Sequence, residues 1–216
     1  MTAPPIFLEP LEVDALTELV NIGVSRAAAS LRLMVGRQVL LSVPSVEVIS
    51  RSAAATLMAE REIGRLVAVR QEFTGAFSGQ ALLIFPETNS LTLVRAVTGD
   101  ELSDNELASL EEEALAETGN VVLNNCLATM ANMLQRPLEM SLPGVLRDQS
   151  AHLFELDPAG GDAGVALFLY INFAIAERDI RGYIAVLMDL PSLDALKELV
   201  SEFITRVVGP EAEAGR

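Results

Sequence analysis

One stretch of the sequence places two carboxylates and a carboxamide along a single predicted helix face. In LEVDALTELVNIG (11–23), Asp14, Glu18 and Asn21 follow one another at helical spacing. Because an α-helix turns about 100° per residue, the three side chains fall within one narrow sector, opposite the apolar residues. Carboxylates can bind a lysine or arginine, and an amide can hold a water molecule through its acceptor and donors. The stripe therefore predicts a binding or water-positioning surface.

The same stripe occurs a second time, 99 residues further along the chain. Its members are Glu113, Glu117 and Asn120, and Pro143 follows them at the distance at which Pro44 follows the first stripe. On either helix alone, an exposed Glu and Asn are most often merely solvated. Recurrence without a gap favours function over a solvated surface.

The repeated stripe belongs to a longer tandem duplication. We predict one domain at 1–207, built from two repeats at about 8–100 and 103–207, with a flexible tail at 208–216. The predicted fold class is α+β: an internally duplicated, pseudo-twofold pair of long helices packed on a shared antiparallel sheet.

Each repeat is predicted to contain a long helix, an apolar strand broken by proline, two further strands and a closing helix. Ser103 and Glu106 form a predicted capping box, Gly36 is a predicted helix cap, and Pro137 ends the second long helix. The predicted bounds are, in order, long helices at 11–34 and 104–135, strands near 64–77, 79–85, 164–176 and 181–190, and closing helices at 88–98 and 192–207.

Composition limits the function classes. The 216 residues carry a formal charge of −15, so we expect neither nucleic acid nor a membrane surface as a partner. The longest apolar run, at 164–176, is too short to span a bilayer and is predicted to be a buried strand. MTAPPIFLEP lacks the features of a signal peptide, which predicts a cytoplasmic location.

Residues with other chemistry are few. The single cysteine, Cys126, is predicted to be a core hydrophobe, and the single histidine, His152, lies in the strand-like run SAHLFEL. Lys197 is expected at the surface. A glutamate–asparagine stripe makes no activated nucleophile and supplies too few ligands for a metal site. The glycines beside the asparagines, Gly23 and Gly119, are expected to leave bare surface for close approach by another molecule.

The spacing of these residues resembles the signature of the CheC–CheX–FliY family of chemotaxis phosphatases, and DALTELVNIGVSRAAASL resembles CheC in particular. The pattern occurs as Asp14-x3-Glu18-x2-Asn21-x22-Pro44 and as Glu113-x3-Glu117-x2-Asn120-x22-Pro143. The resemblance implies hydrolysis of the aspartyl-phosphate of a CheY-like response regulator in chemotaxis or related two-component signalling.

The resemblance also implies roles for the catalytic residues. Glu18 and Glu117 would contact the regulator's active-site lysine, and Asn21 and Asn120 would orient water for in-line attack, as a glutamine amide does in GTPases. The chain would need no cofactor of its own, because the Mg²⁺ would belong to the regulator.

Four further positions complete the implied motif. Asp14 and Glu113 would help to bind the partner, and Pro44 and Pro143 would shape the strand beneath the helix. The two retained sites favour a monomer, and a CheD-type receptor deamidase is a further partner of this kind of protein.

Two other interpretations remain open at this point. A non-catalytic adaptor could use the same acidic surface to bind a response regulator or a CheD-type deamidase. A duplicated structural protein could carry both stripes as solvated surface.

Overall fold

The protein is described here by a computed structural model that covers residues 8–43, 46–99, 101–154, 164–175 and 178–209. Its helices are α1 (Pro10–Val35), α2 (Arg51–Arg61), α3 (Glu87–Thr98), α4 (Asp104–Leu134), α5 (Ser150–Phe154) and α6 (Leu190–Val208). Its strands are β1 (Val39–Ser42), β2 (Val46–Ser50), β3 (Leu66–Gly75), β4 (Gly79–Pro86), β5 (Leu138–Met140), β6 (Gly144–Asp148), β7 (Gly164–Ile175) and β8 (Arg178–Asp189).

The order of elements, helix–strand–strand–helix–strand–strand–helix, runs twice along the chain. The strands form one sheet in the order β1-β7-β8-β4-β3-β5, with β2 also on β7 and β6 also on β3. Every pairing is antiparallel. The predicted α+β class, with long helices on a shared antiparallel sheet, is confirmed.

The repeats exchange strands. β1 and β2 of the first repeat pair with β7 of the second, where Val46 lies opposite Leu169. Reciprocally, β5 and β6 of the second repeat pair with β3 of the first, where Val145 lies opposite Val69. The central contact joins β4 to β8. Each repeat therefore completes its share of the sheet with strands from the other.

Both faces of the sheet are covered. Val67, Val69 and Leu83 point to a large core under the long helices, whereas their neighbours along the strands point to a second core under α2 and α5. Because successive side chains alternate between faces, a sheet buried on both sides needs continuous apolar strands. This explains why the strand sequences show little apolar–polar alternation.

The ends of the long helices follow from local chemistry, as predicted. Ser103 and Glu106 form the capping box at the start of α4. Gly36 ends α1 with a φ of 66°, in the left-handed region. At the end of α4, Gln135 adopts a similar conformation with a φ of 57°, two residues before Pro137.

The expected strand-like conformation around His152 is wrong. His152 lies in α5, with its Nδ1 2.9 Å from Asp148 Oδ1. Leu153 and Phe154 of this short helix are buried in the second core, and Phe154 packs against Phe168. Short apolar runs fit a strand or a buried helical turn equally well, and here tertiary packing selects the helix. Helix α2, its counterpart in the first repeat, was not predicted either.

The remaining expectations concern the long apolar run, a membrane-spanning helix and two segments of the chain. β7 is the predicted buried strand, with Ala166, Leu167, Phe168 and Leu169 inaccessible. Within the described ranges, no helix is both long enough and apolar enough to cross a bilayer. Pro44 and most of the predicted tail lie outside the described residues.

Candidate functional site

The two stripe-bearing helices pack directly against each other. Arg26 Nη1 of α1 donates to Thr129 Oγ1 of α4 at 3.2 Å. The counterpart of Arg26, 99 residues later, is Asn125, and the counterpart of Thr129, 99 residues earlier, is Ser30. These two residues are also in contact, with Asn125 Nδ2 of α4 3.5 Å from Ser30 Oγ of α1. These reciprocal contacts are what a pseudo-twofold axis between the helices requires.

The glycines beside the stripe asparagines face the interior, which corrects the expectation of bare surface. A Cβ on Gly23 would lie 2.8 Å from the Cα of Cys126, and a Cβ on Gly119 would lie 2.4 Å from Val69 Cγ1. Gly23 lets α1 approach α4, and Gly119 lets α4 approach β3. Both residues are therefore small because the elements pack closely there, and neither provides exposed surface for another molecule to contact.

The first stripe lies on the outer face of α1. Asp14 and Glu18 are exposed and Asn21 is half-buried, whereas Leu16 and Leu19 on the other side are buried. A shallow depression of about 380 Å³ is lined by Glu18, Asn21, Ile22, Ser25, Arg26 and Ala29. The predicted carboxylate and carboxamide thus share one accessible hollow.

The second stripe has the same exposure pattern on α4. Glu113 and Glu117 are exposed and Asn120 is half-buried. Glu113 and Pro143 line a second hollow of about 390 Å³, together with Ser109, Glu112, Ala116, Gly144 and Val145. Since a helix rises about 1.5 Å per residue, Asn120 lies roughly 10 Å along the axis from Glu113. The loop that carries Pro143 therefore flanks the stripe.

Asn120 is anchored by a chain of amides that sequence reasoning did not find. Asn124 Nδ2 donates to Asn120 Oδ1 at 2.6 Å, and Gln71 Nε2 donates to Asn124 Oδ1 at 2.9 Å. Gln71 comes from β3 and also donates to the carbonyl of Ser141 at 2.8 Å. A glutamine on the same strand face as Val67, Val69 and Phe73 was the available signal. Its partner on α4 could not be named from sequence.

The carboxylates of both stripes lie exposed on outer helix faces. No group of three or more histidine, cysteine, aspartate or glutamate residues within the described part of the chain is arranged to hold a metal ion. The exposed carboxylates of each stripe are instead placed to meet a positively charged group on another molecule.

Cys126 is buried, as expected of a core hydrophobe, and burial raises the pKa of its thiol to about 12. Because the thiolate is the reactive form, we expect the folded protein to resist a thiol reagent at pH 8 and the denatured protein to react rapidly. Timed labelling followed by mass spectrometry checks this. Equal labelling rates for folded and unfolded protein would contradict the buried position.

Comparison with known proteins agrees with the geometry. The chain is 26% identical over 140 residues to the flagellar motor switch phosphatase FliY of Bacillus subtilis (strain 168), a stretch that is 64% of this chain and 36% of FliY. It is 21% identical over 193 residues to the CheY-P phosphatase CheC of the same organism, covering 86% of this chain and 91% of CheC. The chain thus spans about a third of FliY and almost all of CheC.

The fold agrees as well. The crystal structure of Thermotoga maritima FliY matches with a TM-score of 0.69 at 20% identity, covering 93% of this chain and 99% of that one. The predicted resemblance to CheC-like phosphatases is thus supported by both sequence and fold. No profile of a known protein family matches it. The CheC-like relatives named above are phosphatases, two stripes carry the CheC-like pattern, and the structure exposes the carboxylates of both.

Proposed function

We propose that this protein hydrolyses the aspartyl-phosphate of a CheY-like response regulator, with Asn21 and Asn120 each orienting the attacking water. The observation that carries the proposal is the placement of both asparagines, half-buried beside exposed glutamates on helix faces turned away from the core. The names of two relatives, a CheY-P phosphatase and a motor switch phosphatase, support the reaction class.

The chemistry asks for little beyond positioning. Water oxygen attacks phosphorus, the aspartyl oxygen leaves as a carboxylate, and the proton of the water passes to solvent or phosphate, so that inorganic phosphate is released. Phosphoryl transfer is catalysed chiefly by alignment and by charge already present around the phosphoryl group. The regulator would supply the Mg²⁺ and the phosphoryl group, and the amide of Asn21 or Asn120 would supply the alignment.

The glutamates would fix the docking geometry. Glu18 and Glu117 are exposed one turn from the asparagines, where each can pair with a lysine of the partner's phosphorylated pocket. Asp14 and Glu113, a further turn along each helix, extend the acidic surface. The net charge of −15 favours encounter with a partner whose pocket has a basic rim. Pro143 lines the hollow beside the second stripe, and by the motif Pro44 and Pro143 would each shape the strand beneath the helix of their repeat.

The test is the lifetime of phosphate on a CheY-like regulator from the same genome. With this protein at one-tenth of the regulator concentration, we expect many phosphates to be released per molecule of protein, at a rate that saturates with regulator concentration. A non-catalytic adaptor would bind the phosphorylated regulator without shortening that lifetime. Binding with an unchanged lifetime would therefore reject the proposed activity.

A further inference from the structure

The amide chain behind Asn120 has a fixed direction. The backbone carbonyl of Ser141 can only accept, so the nitrogen of the Gln71 amide must face it. Ser141 is itself held by two hydrogen bonds to Glu72, from its backbone nitrogen at 2.9 Å and to its Oγ at 3.0 Å. The sheet edge therefore decides which way the Gln71 amide points.

That direction is passed on to Asn120. Gln71 Nε2 also donates to Asn124 Oδ1, so the nitrogen of Asn124 faces Asn120. Asn120 must then turn its carbonyl oxygen toward Asn124, and its NH₂ group points elsewhere. The Asn120 oxygen keeps a second lone pair for a further donor such as water. We call this chain of amides, Gln71, Asn124 and Asn120, the relay. Gln71 is only 2% exposed, so water does not compete for the hydrogen bonds with which the relay begins.

The first site has no equivalent relay among the described residues. The counterpart of Asn124, 99 residues earlier, is Ser25, which is exposed. The sheet register makes Ile171 the counterpart of Gln71, because Val145 opposite Val69 corresponds to Val46 opposite Leu169. Ile171 is fully buried and apolar. No described side chain hydrogen bonds to the Asn21 amide.

We propose that Asn124 and Gln71 are positioning residues that hold the Asn120 carboxamide in one orientation and so make the second site the faster of the two. This inference rests on the proposed function of Asn120. An amide already held in its working orientation loses less rotational freedom when it orders a water molecule. The Asn21 amide has no such hydrogen bond from a described side chain, so it must lose this rotational freedom each time a regulator binds.

The test isolates the second site by using the Asn21→Ala background. Asn124→Ser gives the second site the residue of the first, and we expect kcat for regulator dephosphorylation to fall by about tenfold because the amide is no longer aligned. KM should stay within about twofold of the background, because Glu113 and Glu117 are untouched. Asn132→Ser, the same change at an exposed position of α4, is the matched control and should leave both constants unchanged.

Gln71→Leu provides a second variant that does not touch α4. It removes the donor to Asn124 but places an apolar side chain of similar size at this buried position, and kcat is again expected to fall with KM unchanged. Because this change also leaves the Ser141 carbonyl without its donor, the unfolding transition is measured alongside. A loss of kcat in a variant that remains folded supports the relay.

The side-chain amide signals of Asn120 give a readout that does not depend on activity. In the ¹⁵N–¹H spectrum, Asn124→Ser should shift the NH₂ resonances of Asn120, whereas Asn132→Ser should not. Unchanged Asn120 signals, or an unchanged kcat in Asn124→Ser when Asn120→Ala abolishes activity, would overturn the relay and leave the proposed function standing. Full activity of Asn120→Ala in this background would instead overturn catalysis by Asn120, and with it the rate advantage assigned to the relay.

Discussion

Replacing both stripe asparagines, Asn21→Ala together with Asn120→Ala, is expected to lower the stimulated loss of phosphate from a CheY-like regulator by roughly a hundredfold or more. The physical reason is that each amide would hold water in line with the phosphorus, and an alanine offers neither donor nor acceptor. The measurement is the steady-state release of inorganic phosphate from the phosphorylated regulator.

The same double variant should remain folded. Both asparagines are half-buried on outer helix faces, and alanine has the higher helix propensity. Asn132→Ala, an exposed position near the end of α4, is the control for loss of a helical asparagine and should keep full activity. If the double variant stimulates phosphate loss as strongly as the parent, the mechanism is wrong.

Gly119→Ala is expected to destabilise the protein by about 2 kcal/mol. The added Cβ would lie 2.4 Å from Val69 Cγ1 and 2.5 Å from Val69 Cβ, so α4 would have to move away from β3. Overpacking of this kind costs up to about 3 kcal/mol, and replacing a helical glycine with alanine returns about 1 kcal/mol. Urea unfolding followed by circular dichroism measures the change in the free energy of unfolding.

The clash with Val69 can be tested directly. Val69→Ala removes Cγ1 and Cγ2, two of the three Val69 atoms that the new Cβ would meet, and leaves only Val69 Cβ. The double variant Gly119→Ala with Val69→Ala should therefore be more stable than the sum of the single effects predicts, by about 1 kcal/mol. Gly144→Ala is the control, since a Cβ there would meet nothing within 4 Å. Strict additivity would show that the close approach of Gly119 to Val69 is not what limits the site.

Much of the fold could be read from local patterns. The long helices, their caps and the position of most strands follow from residues such as Ser103, Gly36 and Pro137, whose preferences act within a few positions. Strand partners could not be read in this way. An apolar run such as that of β7 specifies a buried strand, but nothing within the run selects β1 and β2 of the other repeat as its neighbours.

The candidate site, like the fold, could be predicted where local patterns determine it and not where contacts between distant residues do. The exposure of Glu18 and Glu117 follows from helical periodicity alone, and the structure places both at the surface. The inward direction of Gly23 and Gly119 was missed, because a glycine next to a polar stripe suits either close packing or an open surface. The partner of Asn124 was also out of reach, since Gln71 lies 53 residues away on another element.

Because the repeats exchange strands, the stability of each repeat depends on the other. Gln71 belongs to the first repeat but serves an asparagine of the second, and β1 and β2 cover a strand that their own repeat does not encode. Loss of either copy would remove the partners on one side of β3 or β7 and leave an exposed strand edge, which promotes aggregation. A mutation that destabilises one repeat therefore destabilises both. A gene that arose by this duplication cannot readily lose one repeat.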